Sequence, residues 1–270
     1  MLLLLLIAGA VGGFLAGLVG VGGGVIFGPV LFFTYQAAGI EDPVLTPLTL
    51  GSSLLCTFAA SASGAVAQHR EGAIDWRTAL TAGGFAAVMV VLVGRFVATQ
   101  PWYDKQAFQL ILGILLLVVV VRMLTSRSGA DTLSTDGARR GRLGIGATGA
   151  AAGTVSALAG IGGGVVLVPL FAGIVRLPIK VAAGTSTAAI VLITAVGVVT
   201  YAVLGLEVDV PNGAVGFVDW RGAAALALPA IATARLGVSV AHRVRVRVVR
   251  LSFAAFAAVV AARLLWNALS

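Results

Sequence analysis

An apolar run at the start of the chain is too long to cross a membrane once as a helix. It covers residues 2–38, contains no charged residue, and holds four glycines within residues 20–24. As one straight helix the run would be about 55 Å long, against a hydrocarbon core of about 30 Å. Each glycine disfavours helix by about 1 kcal/mol relative to alanine, so the four together oppose a continuous helix by about 4 kcal/mol. The run must therefore break or fold back, and Pro29 suits the beginning of a restarting helix better than a helix interior.

The glycine element recurs in the second half of the chain. Residues 20–24 (GVGGG) match residues 160–164 (GIGGG), and Pro29 matches Pro169 at the same offset of 140. Three further pairs follow in the same order: LGSSL at 50–54 with AGTST at 183–187, IDWRTAL at 74–80 with VDWRGAA at 218–224, and VVRML at 120–124 with AARLL at 261–265. This order predicts two transmembrane repeats, 1–125 and 141–270. A polar, basic segment at 126–140 is predicted to be a cytoplasmic linker between them.

Composition indicates a membrane protein. The 270 residues are 59 % hydrophobic and only 10 % charged, whereas soluble domains average about 25 % charged. Runs such as LILGILLLVVVV at 110–121 do not alternate, which predicts helices rather than the strands of a membrane barrel. The predicted apolar segments are 2–38, 44–67, 78–99, 106–124, 143–175, 181–205, 222–241 and 249–267.

The remaining composition argues against several classes of function. The net charge of +8 comes from basic residues clustered in loops between apolar segments, so it is interpreted as a topology signal rather than as nucleic-acid binding. The single cysteine, Cys56, cannot form an internal disulfide. His69 and His242 lie at segment ends, and no cluster of Cys, His and acidic residues has the spacing of metal ligands. We therefore expect no metal, no cofactor, no nucleic-acid partner and no enzyme active site.

The loop charges predict how the repeats are oriented. If each glycine-broken run returns to its starting side as a hairpin, each half makes three net crossings and the halves are inverted. If each run crosses once, the halves are parallel and the basic segments 122–142 and 242–250 fall on opposite sides. The hairpin places 13 of the 18 basic residues on one side: Arg70, Arg77, Arg122, Arg127, Arg139, Arg140, Arg142, Arg176, Lys180, Arg243, Arg245, Arg247 and Arg250.

The positive-inside rule favours the hairpins, because they gather the basic loops on one side. The predicted fold is therefore an all-α polytopic membrane protein of two inverted repeats. Each repeat is expected to contain a Gly-broken helical hairpin plus three transmembrane helices, with both termini external.

The glycine breaks are candidate binding elements. Inverted repeats with broken helices are typical of secondary transporters. A helix that restarts inside the membrane presents free N–H groups and a positive dipole end, which favour an anion. The alternative is close helix packing, which also uses small residues. A phosphate-binding P-loop is disfavoured because no Lys-Ser or Lys-Thr follows either break.

Hydroxyl side chains follow each break. The segments TLGSS at 49–53 and GTST at 184–187 place Ser or Thr beside glycine near the start of a membrane segment. Hydroxyls can donate to an anion without the cost of a buried charge, or they can bond back to the carbonyl four residues earlier. Both interpretations stay open for these two segments, whereas the back-bond is favoured for Thr57, Ser61 and Ser63.

Two arginines lie within predicted membrane segments. Arg235 and Arg95 are candidates for an anion path, and each could instead extend to an interface. No acidic residue lies deep in a segment, so a carboxylate proton relay is not evident. Asp75 and Asp219 each precede Trp-Arg at a membrane boundary, which is typical of an interfacial anchor.

The doubled motifs resemble the sulfite exporter TauE/SafE family of membrane permeases. The resemblance rests on GFLAGLVGVGGGVIFGPVL, GTVSALAGIGGGVVLVPLF, LGSSL, AGTST and ARLGVSVAHRV, and it covers nearly the whole chain. It implies a helical permease for sulfur-containing or organic anions such as sulfite, sulfonates or sulfoacetate. Together with Arg235, the substrate-binding residues that we expect are the family's motif positions: Gly22, Gly23, Gly24, Pro29, Gly51, Ser52, Ser53, Gly162, Gly163, Gly164, Pro169, Gly184, Thr185 and Ser186.

The sequence therefore predicts a multi-pass permease of the cytoplasmic membrane that works by alternating access. Its expected partners are a small anionic solute, the lipid bilayer, and a coupling proton or sodium ion, while the oligomeric state stays open. An anion channel or a non-transporting membrane scaffold is the alternative function.

Overall fold

The computed structural model describes residues 2–98, 100, 102–125, 142–211, 213–241 and 246–269, and these residues form a helical protein. In the first half the helices are α1 (Leu2–Val19), α2 (Gly24–Ala37), α3 (Leu45–Arg70), α4 (Trp76–Val93) and α5 (Lys105–Thr125). In the second half they are α6 (Arg142–Ala159), α7 (Gly164–Gly173), α8 (Ile179–Leu204), α9 (Trp220–Ala241) and α10 (Val246–Leu269). A π-helical turn at Gly94–Ala98 extends α4, and strands β1 (Ala214–Val215) and β2 (Val218–Asp219) form a small antiparallel hairpin.

The helices agree with the predicted apolar segments, and the prediction of an all-α polytopic membrane protein is confirmed. Five helices are long and apolar enough to cross a membrane by length and composition: Leu2–Val19, Leu45–Arg70, Trp76–Ala98, Ile179–Leu204 and Trp220–Ala241. The linker predicted at 126–140 lies outside the described residues, as do His242 and the basic residues Arg127, Arg139, Arg140, Arg243 and Arg245.

Each long apolar run is broken into two helices at its glycines. The backbone is left-handed at Gly20, Gly22 and Gly23, with φ of 75°, 89° and 74°. The matching glycines of the second break, Gly160, Gly162 and Gly163, have φ of 67°, 72° and 76°. Side chains other than glycine rarely adopt this conformation, so both turns depend on their glycines.

The chain after each break runs back along the helix before it. A Cβ atom added at Gly23 would lie 3.0 Å from the carbonyl oxygen of Gly12, in the middle of α1. At the matching Gly163, an added Cβ would lie 2.6 Å from the carbonyl oxygen of Ala152 in α6. Both breaks therefore fold back against the helix that precedes them, at the same sequence separation.

Helices α2 and α7 end near the level at which α1 and α6 begin. In the second half a contact joins the end of α7 to the beginning of α6, because Ile174, just after α7, lies 3.8 Å from a Cβ added at Gly144. In the first half Tyr35 of α2 bonds Asp219 at the start of α9, while Gly9 of α1 packs against Leu226 of α9. Each broken run therefore returns toward its starting side.

Helices α3 and α8 cross the centre of the protein in opposite directions. Gly64 of α3 lies against Thr187 near the start of α8, and Gly197 of α8 lies against Leu54 near the start of α3. The end of α3 therefore lies beside the beginning of α8. Among the described side chains, basic residues predominate at that end (Arg70, Arg77, Arg176, Lys180 and Arg235, against Glu71 and Asp75). Acidic residues predominate at the other end (Glu41, Asp42, Asp104, Glu207, Asp209 and Asp219, against Arg95, Lys105, Arg221 and Arg263).

Candidate functional site at the two helix breaks

The two glycine breaks are in backbone contact with each other. A Cβ added at Gly24 would lie 2.5 Å from the Cα of Ile161, in the second break. A Cβ added at Gly164 would lie 2.5 Å from the carbonyl oxygen of Val21, in the first break. The two contacts are equivalent under the repeat, because Gly24 matches Gly164 and Val21 matches Ile161. Only glycine permits so close an approach of the two turns.

Both breaks surround the same point between α3 and α8. Added Cβ atoms at Gly22 and Gly162 would lie 3.1 Å and 2.8 Å from the methyl carbon of Thr57. The same two positions lie 3.2 Å and 2.9 Å from side-chain carbons of Ile190. Thr57 and Ile190 are themselves equivalent, since each lies four residues after the matching serine of its motif, Ser53 or Ser186. All of these residues are buried.

Two serine hydroxyls join the halves at the breaks. Ser53 of α3 donates to the carbonyl oxygen of Gly160 over 2.8 Å. The matching Ser186 of α8 donates to the carbonyl oxygen of Gly20 over 3.0 Å. Neither serine bonds back to its own helix, and each hydroxyl proton is donated to the break of the other half, an arrangement that differs from both interpretations left open by the sequence. The structure thus brings the breaks and these hydroxyls together.

The neighbouring hydroxyls bind a different segment. Ser52 accepts a hydrogen bond of 2.9 Å from the backbone N–H of Asp219, and Thr185 accepts one of 2.9 Å from the N–H of Asp75. These aspartates begin the two Asp-Trp-Arg motifs. The Ser52 and Thr185 hydroxyls therefore fix the connections that lead into α9 and α4, and they do not point at the breaks.

The glycines beside these hydroxyls are required for the same contact. A Cβ added at Gly51 would overlap the carbonyl oxygen of Phe217, and one added at Gly184 would overlap the carbonyl oxygen of Ala73. Each carbonyl lies two residues before the aspartate of its motif. The link between the Gly-Ser/Thr motifs and the Asp-Trp-Arg motifs was missed by the sequence reasoning. The signal that could have found it is that both motifs recur together, once in each half.

The Asp-Trp-Arg motifs combine this contact with helix capping, a bond to α2 and an exposed tryptophan. Asp75 caps α4 by accepting a hydrogen bond of 3.2 Å from the N–H of Thr78. Asp219 accepts a hydrogen bond of 3.1 Å from the hydroxyl of Tyr35 in α2. The indoles of Trp76 and Trp220 are exposed on the protein surface, as expected for anchors at a membrane boundary.

Unused hydrogen-bond donors collect where the breaks meet. Helices α2 and α7 begin at Gly24 and Gly164 without a side-chain cap. Within the described part of the chain, the backbone N–H groups of four glycines make no hydrogen bond: Gly22, Gly23, Gly162 and Gly163. The buried hydroxyl of Thr57 likewise has no partner among the described atoms. Two positive helix ends and several free donors at one point form a suitable environment for an anion.

The two prolines lie inside the restarted helices. The helix-starting position predicted for Pro29 is wrong, because α2 begins at Gly24 and Pro29 is its sixth residue. Pro169 occupies the same place in α7. The left-handed glycines Gly23 and Gly163 start each helix one turn earlier than the proline would.

The two membrane arginines lie away from the breaks. Arg235 donates from Nε to the hydroxyl of Ser63 over 3.1 Å, and Ser63 donates to the carbonyl oxygen of Ile231. Ser63 is about 9 Å along α3 from Thr57. Arg235 borders a cavity of about 130 Å³ with Arg70 and Glu71. Arg95 lies in the π-helical turn, exposed near the opposite end of the protein.

Some polar groups predicted to bond back to their own helix do not. Thr57 and Ser61 lack a partner among the described atoms, and Ser63 bonds Ile231 and Arg235 of α9. Within the described residues, no group of three or more His, Cys, Asp or Glu side chains could hold a metal ion. The breaks offer a solute hydrogen-bond donors, namely backbone N–H groups and the Thr57 hydroxyl.

Comparison with known proteins gives the family. The family model described as sulfite exporter TauE/SafE matches residues 5–264. A probable membrane transporter protein of Methanocaldococcus jannaschii is 29 % identical over 242 residues, which cover 89 % of this chain and 86 % of the relative. A probable membrane transporter protein of Haemophilus influenzae is 28 % identical over 261 residues, which cover 96 % of each chain.

A third relative, a probable membrane transporter protein of Xylella fastidiosa, is 28 % identical over 186 residues, covering 68 % of this chain and 67 % of the relative. No solved structure matches the chain. The family match spans both glycine breaks, both hydroxyl motifs and both Asp-Trp-Arg motifs. With its apolar helices and its paired breaks, this chain belongs to the sulfite exporter TauE/SafE family of membrane transporters.

Proposed function

We propose that this protein is a secondary transporter that moves a small sulfur-containing or organic anion, such as sulfite, a sulfonate or sulfoacetate, across the cytoplasmic membrane by alternating access. The observation that carries the proposal is the reciprocal contact between the two breaks, Gly24 with Ile161 and Gly164 with Val21. It brings two helix N-termini, and the free amides beside them, to one buried point.

The binding chemistry follows from these donors. An anion that leaves water must exchange its hydration shell for other hydrogen-bond donors, and a buried arginine or lysine would hold it with the full strength of a charge in a low dielectric. Backbone amides and a hydroxyl offer partial charges instead, which allow both binding and release. In this proposal the amides of Gly22, Gly23, Gly162 and Gly163 and the hydroxyl of Thr57 bind the anionic oxygens.

The two halves are inverted in this proposal. Its support is that the contacts come in matched pairs: Ser53 with Gly160 and Ser186 with Gly20. Such reciprocity is expected of two halves related by a two-fold axis, and both broken runs return toward their starting sides. The basic end of α3 would then face the cytoplasm, following the positive-inside rule.

Alternating access requires the halves to move relative to each other. The breaks are fully buried in this conformation, which favours an occluded state over a permanently open channel. The Ser53 and Ser186 hydrogen bonds are the connections that must break or be remade when the halves move. Binding of an anion at the free amides would bias that movement, because it adds contacts to both halves at once.

Transport by purified protein in proteoliposomes tests the function. Radiolabelled sulfite and sulfoacetate should accumulate in vesicles with protein and not in empty vesicles, and a proton or sodium gradient should change the rate if that ion is coupled. Gly164→Ala, whose Cβ would meet Val21, should abolish uptake. Gly84→Ala is the matched control, since nothing lies within 4 Å of a Cβ added there. Folded protein that moves none of these anions would contradict the proposal.

A further inference from the structure

One face of α3 carries an unusual set of buried polar groups. Starting at the breaks, the residues Thr57, Ser61, Gly64 and Gln68 follow at spacings of four, three and four, which places them on one side of the helix. We call these four residues the α3 stripe. Thr57, Ser61 and Gln68 are 0 %, 1 % and 3 % exposed.

Three atoms of the α3 stripe lack a hydrogen-bond partner within the described residues: Thr57 Oγ1, Ser61 Oγ and Gln68 Oε1. Buried polar atoms without partners are rare, because each forfeits its hydrogen bonds to water. Thr49 and Thr194 show the usual alternative, since each buried hydroxyl donates to the carbonyl four residues earlier, whereas Ser156 of α6 is a single hydroxyl without a described partner. Three unpartnered groups in a row on one face require an explanation that packing does not supply.

The matching face of α8 is different. It consists of Ile190, Thr194, Gly197 and Tyr201, which we call the α8 stripe and which corresponds to the α3 stripe residue by residue at an offset of 133. Its first side chain is apolar where the α3 stripe has a hydroxyl. Thr194 bonds the carbonyl of Ile190, and Tyr201 bonds the carbonyl of Ala157, so no polar side chain of this stripe is left without a partner.

The residues that face the two stripes differ in polarity, as the stripes themselves do. Gly64 of the α3 stripe faces Thr187, whose methyl carbon lies 3.3 Å from an added Cβ. The equivalent Gly197 faces Leu54, with a methyl carbon at 2.8 Å. The glycine of the α3 stripe is therefore faced by a hydroxyl-bearing residue, and the glycine of the α8 stripe by the more closely packed leucine.

The two stripes lead to opposite ends of the protein, because α3 and α8 are antiparallel. The α3 stripe runs from the breaks toward Arg70, where basic residues predominate. The α8 stripe runs from the breaks toward Phe217 and the acidic end, where Tyr201 accepts a backbone hydrogen bond at its carbonyl from Phe217. A positive potential at the end of the α3 stripe would raise the local concentration of anions there.

We propose that the α3 stripe lines the route by which the anion passes between the breaks and the basic face, and that the α8 stripe is the barrier on the other side. This rests on the transport function proposed above. The hydroxyl protons of Thr57 and Ser61 replace water as donors to the moving anion, and water donates to Gln68 Oε1 between passages. In this proposal the occluded protein opens at its basic face along the α3 stripe.

Cysteine labelling in membrane vesicles tests the route without relying on transport. In a Cys56→Ser parent, Ser61→Cys is compared with Ala60→Cys, which is equally buried but points about 100° away from Ser61 around α3, at the flank of the stripe. The probe is the anionic reagent sulfonatoethyl methanethiosulfonate, applied to inside-out or right-side-out vesicles. Because only a solvated thiolate reacts readily, we expect Ser61→Cys to react about tenfold faster than Ala60→Cys from the basic side. Thr194→Cys should react no faster than Ala60→Cys from that side.

Equal reactivity of Ser61→Cys and Ala60→Cys would overturn the proposed route. Uptake of sulfite and sulfoacetate by the Cys56→Ser parent is measured in the same vesicles, so the two proposals fail separately. Vesicles that transport but show equal labelling contradict the route alone. Vesicles that label Ser61→Cys selectively but transport no anion contradict the function and leave a water-filled path.

A second pair of variants avoids dependence on cysteine chemistry. Ser61→Ala removes an unpartnered hydroxyl and should lower anion uptake about tenfold while leaving the thermal midpoint unchanged, because no protein hydrogen bond is lost. Ser61→Thr should restore uptake. Thr148→Val is the control, since it removes a buried hydroxyl of α6 that bonds its own helix at Gly144. A Ser61→Ala protein that transports normally would overturn the route.

Discussion

The hydroxyl of Ser186 donates to the carbonyl oxygen of Gly20 over 3.0 Å, a contact that joins positions 166 residues apart. Its counterpart, from Ser53 to Gly160, joins positions 107 residues apart over 2.8 Å. Each glycine turn therefore relies on a serine from the other half of the chain. The repeat is visible in the sequence, whereas this exchange of partners between the halves is visible only in the fold.

Removing either serine should weaken the protein. Ser186→Ala leaves the Gly20 carbonyl buried without its partner, which costs about 1–3 kcal/mol. Thermal unfolding in detergent should show a lower midpoint for Ser186→Ala and for Ser53→Ala. Ser156→Ala is the matched control, because the Ser156 hydroxyl is also buried but has no described partner. Equal midpoints for Ser186→Ala and Ser156→Ala would show that the bond between the halves contributes nothing.

Alanine at Gly51 or Gly184 should be more damaging than alanine at most other glycines. The added Cβ would overlap the carbonyl of Phe217 or Ala73 and displace an Asp-Trp-Arg segment. Overpacking of this kind costs about 1–3 kcal/mol. We expect lower yields of folded protein and a lower unfolding midpoint. Gly144→Ala is the comparison, since its nearest neighbour would lie at an ordinary 3.8 Å, and a similar loss there would contradict the argument.

Thr57→Val should separate binding from stability. The Thr57 hydroxyl has no described partner, so its removal should leave the unfolding free energy unchanged or raise it. The same hydroxyl is assigned to the anion, so the concentration for half-maximal uptake should rise about tenfold, equivalent to about 1.4 kcal/mol. Uptake kinetics and thermal unfolding of one preparation measure both. A variant that loses stability and keeps its uptake kinetics would assign Thr57 to packing.

Arg235 should influence transport through its charge rather than through contact at the breaks. It lies on the cavity wall with Arg70 and Glu71, within reach of salt in the medium. Arg235→Gln should therefore reduce uptake at low ionic strength and have little effect near physiological salt, where the screening length is about 8 Å. Uptake measured across a salt series checks this. Arg221→Gln, at the acidic end, is the control, and a salt-independent loss in Arg235→Gln would indicate direct contact with the solute.

The helices were predictable because each depends on a local pattern. Apolar runs predicted the long helices, and the cost of four glycines within residues 20–24 predicted the break between α1 and α2. The contact between the two breaks could be expected only by analogy with transporters built from inverted repeats. Ser53 and Ser186 were expected to bind a solute, and in the fold each of them donates to the glycine break of the other half.

Features that depend on long-range contacts were not predictable. Ser52 and Thr185 were expected to face a solute, but they bind backbone amides of the Asp-Trp-Arg motifs. Nothing in the spacing of two distant motifs indicates that they touch. Pro29 lies inside α2 rather than at its start, because the left-handed Gly23 begins the helix more than one turn before the proline. The π-helical turn at Gly94–Ala98 has no comparable sequence signal.

Each glycine turn packs against the opposite half of the chain, and this has a consequence for biogenesis. The turn at residues 20–24 packs against residues 160–164, which are synthesised later. The first half therefore cannot form its complete core before the second half is made. Two separately expressed fragments should therefore assemble with each other rather than mature alone. A half-length ancestor would meet the same demand by pairing with a second copy of itself, and duplication followed by fusion would join the two partners in one polypeptide.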